Sequence, residues 1–187
     1  MNDDYKKRHK PLHESKTRYH QGYYVPKLHP EKCLTKENIY RSSWEMMFFD
    51  WCDRCSAVIR WAAEPLGIKY KNPVKNMEYC KKNGLDPNNP NYWPVCNYYT
   101  DVWIELKGKD EKIKKIFIEI KPYSQTQPPK PLKPNATMKE IKRYNREAET
   151  YLVNQAKWAA AKIEFTRRGA EFMIVTERTL EKLRLIN

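Results

Sequence analysis

Histidine is scarce in this sequence, and its placement says more than its number. All four histidines (His9, His13, His20, His29) fall within the first thirty of 187 residues. Catalytic designs that need an imidazole inside the folded unit are disfavoured on that ground, and carboxylates with lysine are the better candidates. Acids are also in deficit: 23 Asp and Glu stand against 36 Lys and Arg, a formal net charge of +13. Such an excess points to a polyanionic partner, because Lys and Arg displace counterions from nucleic acid. It does not separate DNA from RNA or from an acidic membrane surface. No run approaches the roughly 18 apolar residues of a membrane span. The polar N-terminus lacks the apolar segment of a signal peptide, so an intracellular protein is expected. Five cysteines, an odd number, fit a reduced compartment better than a disulfide framework.

Aromatic residues are plentiful, with six Trp and thirteen Tyr. Interleaved with basic residues they suit a nucleic-acid surface, although many must also be core. The most informative stretch runs from Tyr98 to Gln125. In 99–106, Val102, Ile104 and Leu106 share one face, while Asp101, Trp103 and Glu105 share the other. In 113–121, Ile116, Ile118 and Ile120 alternate with Phe117, Glu119 and Lys121. Lys107-Gly108-Lys109-Asp110 between them is turn chemistry. Folding the chain about residue 110 sets Val102 opposite Ile118, Ile104 opposite Ile116, and Asp101 opposite Glu119. Directly opposed residues of an antiparallel pair share a face, with Cβ atoms about 4.5–5.5 Å apart. Two carboxylates that close repel unless positive charge lies between them. Lys121 supplies part of that charge and a hard divalent cation would supply the rest. Mg²⁺ favours one or two carboxylates plus water and phosphate oxygens, and such an ion stabilises charge on a phosphodiester. The pattern therefore reads as a metal-dependent nuclease site. The alternative is a solvated polar face with cross-strand salt bridges.

Around this hairpin, residues 1–40 read as an irregular basic arm and 41–187 as one catalytic domain. Residues 42–62 read as a first helix. Its capping-box pattern is Ser42-Ser43-Trp44-Glu45, and its apolar stripe is Trp44, Met47, Phe48, Trp51, Cys55 and Ile59. Ile68-Lys69-Tyr70 reads as a short strand. Turn signals fill 74–97, which reads as a loop insertion with a short helix near 74–82. Five prolines stiffen 122–134. Residues 137–167 read as a long helix with Ile141, Tyr144, Ala148, Tyr151, Leu152, Ala159 and Ile163 inward, and Gln155 on the same stripe. Gly169 caps it. Phe172-Met173-Ile174-Val175 is a buried strand, and 177–185 a last helix. The expected fold class is α/β in the α+β sense, a mixed central sheet flanked by helices. Lys130, Lys133, Lys139, Lys142, Arg143 and Arg146 form a dense basic run with one acid, Glu140, and read as a phosphate-gripping flank or a solvated charged helix. Cys52-x-x-Cys55 with Cys80 and Cys96 has irregular spacing for a zinc site. Free, mostly buried thiols are the expectation.

Several short segments resemble the head-completion nucleases of tailed phages, within the PD-(D/E)xK nuclease superfamily. They are Tyr40-Arg41-Ser42-Ser43-Trp44-Glu45, Trp61-Ala62-Ala63-Glu64, Tyr70-Lys71-Asn72-Pro73, Tyr99-Thr100-Asp101, Ile118-Glu119-Ile120-Lys121-Pro122 and Asn154-Gln155-Ala156-Lys157-Trp158. The likeness extends, more distantly, to the endonuclease subunit of certain DNA transposons. Thr100 stands where the superfamily name has Pro. The resemblance implies a restriction-endonuclease-like core in which Asp101, Glu119, the Ile120 carbonyl and Glu45 bind Mg²⁺, with Mn²⁺ as substitute. It implies that Lys121 orients or activates the attacking water and that Gln155 positions the site or the phosphate backbone. It further implies double-stranded DNA as substrate and head or portal-vertex proteins as partners. The setting would be the host cytoplasm during assembly, with retention in the virion. Low sequence specificity follows from a surface that grips backbone and carries no base code. Two other readings stand beside it: a virion assembly protein that binds DNA without cutting, and a transposon-type endonuclease subunit.

Overall fold

The computed structural model describes residues 21–186. His9, His13 and His20, and half of the expected basic arm, lie outside them. The described elements are β1 (Gly22–Tyr24), β2 (Asn38–Tyr40), α1 (Ser43–Arg54), β3 (Val58–Ala63), β4 (Gly67–Lys71), α2 (Asn76–Lys82), β5 (Val95–Tyr99), β6 (Val102–Lys107), β7 (Ile113–Ile120), α3 (Met138–Arg167), β8 (Glu171–Val175) and α4 (Glu177–Lys182). The main sheet has the order β3-β6-β7-β8, and two two-stranded sheets, β1-β2 and β4-β5, flank it. Pairing is antiparallel except between β7 and β8, which run parallel. A mixed sheet flanked by helices is the expected class.

The central hairpin has the register that alternation dictates: Val102 faces Ile118 and Ile104 faces Ile116. Both faces of the sheet are covered. Val102, Ile104, Ile116, Ile118 and Ile120 pack with Phe48, Phe49 and Cys52 of α1 and Leu180 of α4. On the other face Phe117 packs with Trp158, Ala161 and Phe165 of α3 and with Ile68, Tyr70 and Tyr98. Phe117 and Phe165 stack with centroids 3.7 Å apart.

Four expectations need correction. The first helix does not run to residue 62. It ends at Arg54, Cys55 is extended, and Val58–Ala63 is the edge strand of the main sheet. The i, i+4 spacing of Cys55 and Ile59 mimicked a continued stripe, but β-branched Val58 and Ile59 fit a pleat, and Arg60 pairs across the sheet with Glu105. The insertion ends before residue 97, because Val95–Tyr99 is a strand paired with β4. Residues 22–40 are not an irregular arm. They form the β1-β2 pair and a 3₁₀ turn at Pro30–Lys32, joined to β3 where the Leu34 N–H donates to the Trp61 carbonyl. Finally, the buried side of α3 is Asn154, Trp158, Ala161 and Phe165, whereas Leu152, Ala159 and Ile163 are exposed. Between residues 138 and 153 no helical residue is buried. This half of α3 carries its apolar residues only half-covered, so they gave a stripe without a core behind it.

The β3–β4 and β5–β6 segments form one bent ribbon. Ala63 pairs with Val102 in the main sheet, and Gly67 pairs with Tyr99 in the small one, so the ladder resumes almost in register after a corner. Glu64 turns that corner with a φ of 42°, and its N–H donates to the Asp101 carbonyl at 3.0 Å. Gly67 is required beyond it, since a Cβ there would lie 2.4 Å from the Tyr99 ring. The corner therefore fixes where Asp101 leaves the sheet.

The N-terminal segment is held by Asp53, which is 1% exposed. Its carboxylate accepts the N–H groups of Lys27, Leu28 and His29 at 2.8, 3.0 and 2.7 Å. Burial opposes its ionisation, but these donors prevail and hold its pKa low. A depressed folded-state pKa adds stability above the ordinary carboxylate range, and that stability is lost as the pH falls through the lowered value. Asp53→Ala is expected to cost about 3 kcal/mol by leaving three N–H groups without their acceptor. Thermal melting measures the loss, and limited proteolysis should cut first within 21–40. An unchanged melting temperature would mean that the clamp contributes nothing.

Candidate active site

The corner of the bent ribbon, the end of β7 and the start of α1 converge on one point. Asp101 lies just before β6. Its Oδ2 accepts the Ile120 N–H at 2.7 Å and stands 3.5 Å from Lys121 Nζ. Glu119, on the penultimate position of β7, is 2% exposed. Its Oε1 is 3.0 Å from Lys121 Nζ, and its Oε2 accepts the Tyr98 hydroxyl at 2.7 Å. Lys121 Nζ also donates to the Ile120 carbonyl at 3.2 Å. The ammonium thus touches three oxygen donors: Asp101, Glu119 and the Ile120 carbonyl. A hard cation prefers this kind of oxygen set.

Glu45 closes the other side. It is the third residue of α1 and serves as its cap: the Glu45 N–H donates to Ser42 Oγ, while its carboxylate accepts the Arg41 N–H at 2.8 Å and the Ser42 hydroxyl at 2.9 Å. It shares no hydrogen bond with Asp101, Glu119 or Lys121, but its charge is felt there. Burial first, and the charge of Asp101 second, push Glu45 up to about 7. The same two causes in the same order push Glu119 up to about 7. Burial alone would lower Lys121, yet Asp101 and Glu119 overcome it and the net direction is upward. Lys121 is consequently an ammonium at neutral pH and acts as a donor.

Thr100, beside Asp101, is fully buried and its hydroxyl lacks a partner. An apolar side chain would fit this position better, which agrees with the proline of the superfamily pattern.

Gln155 is not on the inner side of α3. It is exposed and is not joined to the trio. Lys157, two residues on and so roughly 160° around the helix, takes the facing position. Its ammonium lies over the rings of Tyr70 and Tyr98, 5.9 and 5.4 Å from their centroids, and it interacts electrostatically with Glu119, Lys121 and Asp101. Sequence reasoning missed both Lys157 and Tyr98. The signal for Lys157 was the true stripe of Asn154, Trp158, Ala161 and Phe165, which flanks it. Tyr98 lies at the boundary between the expected insertion (74–97) and the hairpin, and its alternation with Cys96 on β5 is the signal that places it. Lys130, Lys133, Lys139, Lys142, Arg143 and Arg146 are all exposed, the last four on the half of α3 that buries nothing. Cys52 and Cys96 belong to apolar clusters on opposite faces of the sheet, and all five thiols are free. The described residues hold no cluster of three or more Cys, His, Asp or Glu with metal-binding geometry.

Raised carboxylate pKa values make the protein less stable as pH rises. Where the folded state holds a proton that the unfolded state has released, between the ordinary carboxylate range and about 7, stability falls with increasing pH. In chelator, melting temperature should therefore drop by several degrees between pH 5.5 and 8, on the order of 2 kcal/mol. Glu45→Gln should flatten that slope and raise stability at pH 8. A variant as pH-sensitive as the wild type would show that Glu45 is not part of the charge cluster.

Residues 55–177 match the family described as TnsA-like endonuclease N terminal. Over 166 residues the chain is 34% identical to the head completion nuclease of Enterobacteria phage T4, which spans 88% of this chain and 95% of that protein. The family match contains Tyr98, Asp101, Glu119, Ile120, Lys121 and Lys157, with Glu45 just before it. The bent ribbon, the mixed sheet and its flanking helices are accordingly a restriction-endonuclease-like core, and the chain belongs to the TnsA-like endonuclease N-terminal family, of the PD-(D/E)xK type.

Proposed function

We propose that this chain is a metal-dependent deoxyribonuclease of phage head completion, hydrolysing phosphodiesters of double-stranded DNA with little sequence preference. The convergence of Asp101, Glu119 and Lys121 at the ribbon corner carries the reading. The setting, preparation of packaged heads for tail joining in the host cytoplasm alongside head or portal-vertex proteins, rests on the likeness to the phage protein along nearly its whole length.

The residues fit a hard divalent cation. A buried carboxylate, a half-buried one and a carbonyl already converge on one positive charge. Burial, followed by the charge of Asp101, raises Glu119 to about 7, which supports room for a second cation. Asp101, Glu119 and the Ile120 carbonyl would hold Mg²⁺ (or Mn²⁺), with Glu45 adjoining. The ion would polarise the phosphate and lower the pKa of bound water. Lys121, a donor at neutral pH, orients the attacking water and stabilises charge growing on the phosphate oxygens. Tyr98 holds Glu119 in one orientation through its hydroxyl. Glu45 keeps α1 capped and adds its charge to the site. Contacts from exposed lysines and arginines to phosphates would set affinity and leave sequence unread.

Plasmid cleavage tests this directly, with wild type beside Asp101→Ala and Lys121→Ala, each first shown to fold and to bind DNA. Cutting should require Mg²⁺ or Mn²⁺ and fall by at least about a hundredfold in both variants. DNA binding without cutting under either metal would remove the enzyme and leave an assembly protein that binds DNA.

A further inference from the structure

Lys157 is a half-buried cation that no acid neutralises. Among the described residues its ammonium makes neither an ion pair nor a hydrogen bond, and its close company is the faces of Tyr70 and Tyr98. Lys121 next to it is different, because Asp101 and Glu119 both lie within ion-pair distance. Aromatic faces attract an ammonium through their quadrupole without cancelling its charge. The two tyrosines come from paired strands, with Tyr70 opposite Cys96 on β4 and β5. The Tyr98 hydroxyl donates to Glu119, so one side chain carries both the ring under Lys157 and a bond to the carboxylate pair. Burial and the nearby Lys121 ammonium lower the pKa of Lys157, while Glu119 and Asp101 act against this. A buried charge without a partner is costly. It persists where a ligand of opposite sign completes it.

We propose that Lys157 is a substrate-binding residue whose ammonium takes the non-bridging oxygens of a backbone phosphate of the DNA strand at the Asp101–Glu119–Lys121 site. The inference rests on the nuclease reading. It deepens that reading by assigning the anion contact to α3 and by giving the Tyr70–Tyr98 pair a role as a cradle. The cradle holds the ammonium in place while leaving its charge for the phosphate. The ligand is a phosphodiester because the site joins an uncompensated cation to a carboxylate pair that itself calls for a cation. A phosphate would satisfy Lys157 on one side and share, on the other, the cation that the carboxylates would hold.

The test uses the full chain, Lys157→Met (similar volume, no charge) and Lys157→Arg. Binding of a labelled DNA duplex is measured by anisotropy with Ca²⁺ in place of Mg²⁺ across a salt series, cleavage with Mg²⁺, and stability by melting. For Lys157→Met, affinity should fall about tenfold, and the slope of log affinity against log salt should become shallower by about 0.9, the loss of one phosphate contact. KM should rise more than kcat falls, and the melting temperature should hold or increase, because an uncompensated charge has gone. Lys157→Arg should keep the salt slope. Unchanged affinity and slope in Lys157→Met would overturn the assignment. So would a lowered melting temperature with equal loss in Lys157→Arg, which is the behaviour of a packing residue. If the wild type cuts under no metal, the nuclease reading fails alone, and the binding series still decides whether Lys157 holds a phosphate.

Discussion

Two carboxylates, Asp101 and Glu119, share one ammonium while the charge of a third, Glu45, is felt there, and much else in this fold follows from that imbalance. Glu119 is inside the protein, Glu45 nearly so, and Asp101 is half-buried, with its charge acting on both. Repulsion of this kind is ordinarily relieved by separation or exposure. Neither is open here, because each carboxylate is held by donors that the fold supplies. Asp101 is held by the Ile120 N–H, Glu119 by the Tyr98 hydroxyl, and Glu45 by its own helix cap. The remaining relief is protonation: burial first, and the charge of Asp101 second, raise two of the three to about 7. An acid raised to about 7 is only partly ionised at neutral pH, and a divalent cation in the proposed reaction would favour its ionised form.

The imbalance could not be maintained on a flat sheet. In a continuous antiparallel ribbon, Asp101 would sit on the pleat with a backbone fully committed to the ladder. The corner at Glu64 and Thr100 breaks the ladder at that point. It frees the Asp101 side chain to reach the Ile120 N–H of the neighbouring strand. The same break directs β4 and β5 away from the main sheet and over α3, which brings Tyr98 onto Glu119 and Tyr70 under Lys157. A single bend in one ribbon thus places the carboxylate pair and the aromatic cradle together. The positive φ of Glu64 is the local cost of that arrangement.

Much of the site was legible because its residues follow local rules. The register of β6 and β7 is dictated by two alternating runs and a turn, which brings Asp101 alongside the end of β7 although the ladder itself stops at Val102. The Ser42 cap and Gly169 stop, which has a φ of +69°, are chemical signatures that need no tertiary context. Errors arose where tertiary contacts overrule such rules. Residues 58–62 read as helix until β6 is available to pair with them. Residues 22–40 show no period because they are ordered by Asp53, a residue of a different element. The inner side of α3 was misplaced because its apolar residues outnumber the core positions available to them. Ile163 is 72% exposed, whereas Asn154 is 5% exposed. The shift turned the helix by enough to present Gln155 in place of Lys157.

Positive charge at the end of β7 and on α3 therefore differs in physical kind, and the net charge of +13 hides the difference. Lys121 is neutralised by acids it touches, so its charge is local and contributes little at a distance. The exposed lysines and arginines of α3 are solvated and screened over about a Debye length. They can raise the concentration of a polyanion near the protein without fixing its register. Lys157 is neither neutralised nor fully solvated, which makes it the cation with the most to gain from a phosphate in contact. Diffuse attraction by the first half of α3 and contact at its second half would act on the same bound strand in sequence. One helix of thirty residues carries both, although only its latter half has a core to pack against.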